Sequence, residues 1–385
     1  MQDAEPVTRL TPRALNRALL MRQGLLERLD LPLVEAVESI GALQAQHWPA
    51  VSVALWSRLH GVGAEELRQA FAEGRLVVGN LLRGTLHAVS GRQHAAYAVV
   101  VAESGMNDWR RTEAQRPLDL GAVRADLAAF AESTPRSADE MIDRIEAWVA
   151  GQFRLDEEEL ARQRAYRWRP LLAAMPFSKV PSDGRWAGGR TPGAFLASAA
   201  LRGALPSPSE ALDSVVRWHL AAFGPAAAED VAAWIGWRTV PVRAALEGAG
   251  SELRRFQDEA GRTLFDVPSA SRPDQELEAP VRLLPWFDSA LLAYAPRHRG
   301  RILPDAYRDL VYMRANLQWL PTLLVDGMVA GTWSVDLRRS EASLTLKPFE
   351  RLARPVRAAL IDEAERLVRF MKPDAANHAV LFAGG

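Results

Sequence analysis

Three times along the 385 residues, apolar residues at three- and four-residue spacing give way to a short alternating stretch around a turn signal. This repeated switch of period, from about 3.6 to 2, restricts the fold more than any other feature of the chain. In the first cycle, Thr11 to Gly24 reads as a helix with Thr11 as N-cap and Pro12 at the first helical position. A second helix follows from Leu33, and its period fades towards Pro49; two more run from about Val51 to Leu59 and Ala64 to Phe71. Leu76 to Ser90 then alternates as two strands around a Gly79-Asn80 turn. The second cycle starts a helix near Pro135, runs an arginine-rich helix over about Glu157 to Ala174, and ends in strands around Asp183-Gly184. The third passes from Ala211 through Gly250 as helices and closes with strands around Ala260-Gly261.

Helices followed by a small hairpin describe a winged helix. The expected fold class is α+β, with three tandem winged-helix units and a C-terminal mixed α/β unit. At about 150 residues per domain, a chain of this length accommodates several such units. The expected boundaries are 1–115, 116–203, 204–270 and 271–385. The last opens with a linker from Ser269, continues through a basic stretch and a strand pair around Asp326-Gly327, and ends in an amphipathic helix from about Arg354 to Met371.

The absence of cysteine removes disulfides, thiolate nucleophiles and thiolate-held zinc or iron–sulfur sites. No GxSxG elbow, GxxxxGK[ST] loop, HExxH or dinucleotide GxGxxG follows the spacing those chemistries require, so no cofactor and no metal are expected. The first residues lack a signal-peptide pattern, which points to the cytoplasm. Lys+Arg and Asp+Glu both number 47, so any affinity for nucleic acid has to come from local basic clusters rather than net charge.

Four segments carry candidate chemistry. Gln44 and Gln46 flank one small residue just after an apolar helix; they share a side only if the helix has ended, because i and i+2 point about 200° apart in a helix and together in an extended chain. A polar, solvent-facing helix end is the other reading of that segment. Arg83, Thr85 and His87 alternate, so on a strand they would share one face. Arg162, Arg164, Arg167 and Arg169 form a basic stripe, and Arg297, His298, Arg299 and Arg301 a second cluster with no acid before Asp305.

Together these pieces resemble a known family, the AlkZ-like winged-helix DNA glycosylases. The resemblance is carried over nearly the full length by LQAQ at Leu43 to Gln46, RGTLH at Arg83 to His87, HLAAFGPAAAEDVAAWIG at His219 to Gly236, LLPWFDSALL at Leu283 to Leu292, and DGMVAGTW at Asp326 to Trp333. It implies tandem winged helices in a C-shaped arrangement and a catalytic Gln-x-Gln mapping onto Gln44 and Gln46. It also implies hydrolysis of N7-alkylated purines and unhooking of interstrand crosslinks, as in self-resistance to a genotoxic natural product. The expected partner is duplex DNA bearing such lesions, bound by a monomer in the bacterial nucleoid. Arg83, Thr85, His87, the Arg297–Arg301 cluster and the turn Asp326-Gly327-Met328 are the expected DNA contacts. The competing readings are a winged-helix transcription regulator without catalysis and, more remotely, a small-molecule hydrolase.

Overall fold

The computed structural model describes residues 8–115, 120–152, 157–168, 171–172, 175, 177–186, 191–197 and 204–383. The chain forms two compact units. One comprises Met1–Ala64, Val216–Trp234 and Arg238–Gly385, and the other Glu65–Val215 with Ile235–Trp237. This division departs from four consecutive segments, because the N-terminal helices are built into the same unit as the C-terminal sheet.

In the first unit, β1 (Arg9–Leu10) leads into α1 (Pro12–Arg22), and Thr11 caps α1 by accepting from Ala14 N. Next come α2 (Leu33–Ile40), the short extended β2 (Leu43–Gln44) and α3 (Pro49–Arg58), with α4 (Ala64–Ala72) crossing the boundary between units.

The second unit opens its sheet structure with a hairpin of β3 (Leu76–Asn80) and β4 (Leu86–Ser90), followed by α5 (Gly91–Gln115). Gly79-Asn80 lies inside β3, not at the turn; the connection is a 3₁₀ turn at Leu82–Gly84. Gly79 serves packing instead, since a Cβ there would stand 2.8 Å from His94 Nε2. Further on are α6 (Leu120–Phe130), α7 (Ala138–Gln152), α8 (Glu157–Ala165), and the pair β5 (Phe177–Val180) and β6 (Ala194–Ala197). The partner of β5 is therefore not the segment directly after Asp183-Gly184. The arginine-rich helix also stops early, at Ala165, and Arg167 and Trp168 take positive φ. Arg162, Arg164 and Arg167 are paired with Glu159, Glu146 and Asp139, so that stripe is neutralised on the surface; Arg169 lies outside the described residues. The core of this unit joins Val123 and Leu127 of α6, Met141, Ile145 and Val149 of α7, and Trp168 to an edge-on pair of rings, Phe177 and Phe195.

The chain then passes through α9 (Pro208–Phe223), α10 (Ala228–Ile235) and α11 (Thr239–Gly248) into the hairpin β7 (Arg254–Asp258) and β8 (Thr263–Asp266). Here the sequence expectation holds, and β1 extends this hairpin into a three-stranded sheet ordered β1-β7-β8. A five-stranded sheet, β15-β14-β13-β12-β9, completes the first unit. Its strands are β9 (Arg282–Leu284), β12 (Thr322–Val325), β13 (Met328–Leu337), β14 (Glu341–Pro348) and β15 (Asn377–Phe382). A two-residue ladder, β10 (Tyr312–Met313) with β11 (Gln318–Trp319), precedes β12. The amphipathic helix α12 runs Arg354–Met371 and packs Leu360, Ala364, Leu367 and Val368 over Leu344 and Leu346. Each such leucine contributes about 1.5–3 kcal/mol by leaving water.

Charged residues on α1 explain why the N-terminus and C-terminus share a unit. Arg17, 1% exposed at its side chain, pairs with Asp326 of the β12–β13 turn. Arg22 forms two hydrogen bonds of 2.8 Å to Asp266 of β8. Asn16 Nδ2 donates to the carbonyls of Arg301 and Gly327 at 2.7 and 2.9 Å. No helix among the described residues is long and apolar enough to cross a membrane.

In the second unit, burial holds His87 at a pKa of about 3, helped by the charge of Arg83, and holds His94 at about 4. Both imidazoles are neutral when folded, whereas the unfolded chain binds protons below about pH 6.5. Their contribution to stability is therefore fully present above about pH 6.5 and is lost as pH falls towards the folded values, by about 1.4 kcal/mol per pH unit for each. Urea midpoints measured from pH 7 to pH 4.5 should fall steeply, and the slope should become shallower in His94→Asn.

Candidate active site

The candidate catalytic segment begins where α2 ends. Gly41 has φ 84 and ψ 176, a backbone region essentially open only to glycine, and this turns the chain out of the helix. The Gly41 Cα lies against Phe223, whose Cε2 would be 2.9 Å from an added Cβ. From there Leu43–Gln44 is extended and the next helix starts only at Pro49. The helix has thus ended before Gln44, the condition under which i and i+2 side chains share a side.

A buried polar framework holds the segment in place. Gln23 Nε2 donates to the carbonyls of Ile40 and Ala222, at 2.9 and 3.0 Å, and its Oε1 accepts from Arg58 Nε at 3.3 Å. Arg58 donates twice to Asp288, at 3.0 and 2.8 Å, with both side chains wholly buried. Asp288 also caps the turn Ser289–Leu292, and Ser289 Oγ donates to Ala42 O at 2.7 Å. The backbone on the helix side of the glutamines is therefore tied at Ile40 and Ala42. Sequence reasoning did not single out Arg58 or Asp288; the one trace of this framework is an aspartate directly before Ser289-Ala290, an N-cap pattern.

Beyond Ala42, the buried Leu43 and Ala45 anchor the strand, and Gln44 and Gln46 converge. Gln44 Nε2 donates to Gln46 Oε1 at 2.5 Å. Gln44 is 7% exposed and Gln46 is exposed, so the amide pair starts in the protein and ends at its surface. The following residue, His47, is half-buried with its ring 4.3 Å from that of Trp286, which in turn meets Trp333 edge-on at 5.1 Å. Burial lowers the His47 pKa, so this neighbour is neutral near pH 7. Neither His47 nor Trp286 stood out in the sequence.

Arg83, Thr85 and His87 are brought together, but not by strand alternation. Arg83 sits in the 3₁₀ turn with φ 56, and β4 starts only at Leu86. His87 Nδ1 lies 3.0 Å from Thr85 O and 3.5 Å from Thr85 Oγ1, while Arg83 Nη2 approaches His87 Nε2 at 3.4 Å. His87 is 1% exposed, so this cluster turns inward.

The basic cluster is likewise split by packing. His298 and Arg301 are buried, Arg301 with its guanidinium 4.0 Å from the Tyr294 ring centre and donating to Pro225 O. Arg299 lies 4.8 Å from the Trp319 ring centre, and burial lowers its pKa to about 10. Only Arg297 is exposed. An alternation of charge in sequence could not show this, because the 3₁₀ turn Pro296–Arg301 directs successive side chains to different surroundings. The turn at Asp326-Gly327-Met328 is tied to α1. Asp326 is paired with Arg13 and Arg17, and a Cβ on Gly327 would lie 2.4 Å from Leu20 Cδ1. Met328 Sδ is 3.6 Å from Asn16 Nδ2. A turn clasped to α1 in this way is not a projecting tip.

With the amide pair located, comparison with known proteins decides the family. The family described as DNA glycosylase AlkZ-like matches residues 37–370, which include the amide pair and the Arg58–Asp288 pair. The chain belongs to this family. A curated relative is 25% identical over 362 residues, covering 91% of this chain and 94% of its own length: the interstrand DNA cross-link repair glycosylase of Streptomyces sahachiroi. The solved structure of Streptomyces sahachiroi DNA glycosylase AlkZ is similar with a TM-score of 0.73 at 23% identity, covering 98% of this chain and all of that one. The mixed helix-and-sheet architecture is thus that of AlkZ-like proteins.

In this AlkZ-like chain Gly41 is the hinge on which the amide geometry turns. Gly41→Ala should destabilise the first unit by about 1–3 kcal/mol, the cost of holding a non-glycine residue in that backbone region, and more where Phe223 cannot yield. Urea unfolding of the variant against the parent measures this.

Proposed function

We propose that the protein is a monofunctional DNA glycosylase that hydrolyses the N-glycosidic bond of N7-alkylated purines and unhooks interstrand crosslinks. The observation that carries the reading is the convergence of the Gln44 and Gln46 amides from a non-helical segment. The names of the curated relative and of the solved structure support it, as both are DNA glycosylases and the first repairs interstrand crosslinks.

Two neutral amides suffice if the leaving group is already activated. Alkylation at guanine N7 makes the base cationic, so its departure needs little general-acid help. As the C1′–N9 bond breaks, its electron pair moves into the base and neutralises that charge, while positive charge develops on the sugar. One amide oxygen aimed at the sugar stabilises it, and the second amide holds the water whose oxygen attacks C1′ and whose proton is released. We assign cation stabilisation to the more buried Gln44 and water positioning to the exposed Gln46; the assignment is interchangeable on the chemistry alone. A neutral His47 beside the pair places no charge against a cationic base.

A crosslinked base is tethered to the opposite strand and cannot swing freely into an enclosed pocket, unlike most bases on which enzymes act. The exposure of Gln46 supports a site that works at the surface of a duplex. On the same reading, the three helix-to-hairpin cycles are winged-helix modules that grip the DNA as a monomer, and the protein acts at the nucleoid.

Gln44→Ala and Gln46→Ala should each reduce release of N7-methylguanine from methylated duplex by on the order of 10²-fold or more, the scale of losing one preorganised dipole. Affinity for the duplex should stay close to that of the parent. Retained DNA binding with no base release by the parent would instead mark a DNA-reading protein without catalysis.

A further inference from the structure

Beside α10, α11 and the β7–β8 hairpin lies a cleft of about 630 Å³ that the amide site does not touch. Arg243 from α11, Arg255 and Arg262 from the hairpin, and Arg297 line it, against two carboxylates, Glu229 and Glu247. Arg243 is paired with Glu229 at 2.8 Å, and Arg262 with Asp258. Arg255 is exposed, its guanidinium 5.7 Å from the Phe265 ring centre.

Arg297 is held differently from the other three. Asp230, wholly buried, accepts from Ala227 N, from Ala295 N at 3.0 Å and from His298 Nδ1 at 2.6 Å. Burial opposes its ionisation, but the hydrogen bond from His298 and the nearby Arg301 outweigh that and hold its carboxyl below the usual range. An ionised Asp230 can only accept, so Nδ1 of His298 carries the proton given to it. On the other side of the ring Arg297 Nε, which can only donate, reaches Nε2 at 3.0 Å, so Nε2 is the acceptor. This bond fixes the guanidinium plane through its inner nitrogen and leaves the two outer nitrogens of Arg297, which have no partner among the described residues, to the cleft. A guanidinium fixed at Nε with both outer nitrogens presented suits two oxygens of one phosphate.

We infer that this cleft is a phosphodiester-binding site for the backbone of duplex DNA, and that His298, its tautomer set by Asp230, is the positioning residue that aims Arg297 at the phosphate. The inference rests on DNA being the substrate and adds to it a surface, three arginines not singled out by sequence, and a buried relay. His298, which faces inward, acts through Arg297 rather than on the DNA.

The test measures affinity for an undamaged duplex across a range of salt, with base release from methylated duplex followed in parallel. Arg297→Gln and Arg255→Gln, both at the surface, should each weaken binding and make the slope of log K against log[salt] shallower by about 1. His298→Asn keeps an amide N–H where Nδ1 stood but ends short of Arg297. It should bind like Arg297→Gln, and the double variant no more weakly than either. His298→Gln, whose amide reaches the Nε2 position and can accept from Arg297, should restore affinity to within about threefold of the parent. Parent-like affinity and slope in Arg297→Gln and Arg255→Gln would overturn the site. Full binding by a folded His298→Asn, or losses that multiply in the double variant, would overturn the relay. If the parent binds but releases no base, the glycosylase reading fails while the slope comparison stands; if it releases base and the arginine variants bind as tightly, this inference alone fails.

Discussion

The buried pair of Arg58 and Asp288 is the constraint on which the amide site depends. Neither side chain reaches water, and each is saturated by the other and by Gln23, Ala290 N and the carbonyl of Ala54. Removing one partner of such a pair typically costs about 3–5 kcal/mol, because the other charge is stranded in a low-dielectric interior. Replacing both by apolar groups would be far less costly to stability, so stability alone does not account for the pair. What it supplies is direction: the carboxylate caps the turn that presents Ser289 to Ala42, while the guanidinium orients the Gln23 that holds Ile40. The glutamines leave a scaffold fixed on their N-terminal side and need no rigid groups of their own.

The same device, a buried carboxylate that orients a neighbour, recurs at Asp230 with different chemistry. There the carboxylate fixes a histidine, and the histidine fixes an arginine. In both places a charge kept away from solvent governs the geometry of a group that meets solvent. Surface ion pairs such as Arg68 with Glu65 have no such consequence, being free to exchange with water.

Much of the local structure was legible in the sequence because its signals are local. Thr11-Pro12 marks a helix start, Asp326-Gly327 a two-residue turn, and Arg354 to Met371 an amphipathic helix, and each requires only a few neighbours. Gly79-Asn80 misled because a glycine needed for close packing against His94 looks the same in sequence as one needed for a turn. Strands β14 and β15 went unseen: β15 pairs in parallel across α12 and leaves no hairpin signal, and β14 turns back from β13 through Arg338-Arg339-Ser340, which carries no Gly, Asn or Asp turn signal. For the amide site, the identity of the two glutamines and the end of the helix could be read, but the framework could not. Arg58 and Asp288 stand 230 positions apart, and nothing in either's surroundings names the other. The basic run Arg297 to Arg301 shows the opposite failure, in which charges adjacent in sequence are parted by a tight turn into an aromatic cradle, a buried relay and a surface.

The placement of α1 in the C-terminal unit has a consequence for how the molecule comes into being. Arg17 and Arg22 find their carboxylates at Asp326 and Asp266, and Gly41 and Ala42 are secured by residues from Phe223 to Ser289. A nascent chain leaving the ribosome therefore exposes its glutamines long before anything can shape them. The second unit, most of it one continuous stretch, can be complete while the first still waits for its closing sheet. The geometry of the amide pair thus arrives only after Ser289 has been made, and a partly made chain holds the two glutamines without it.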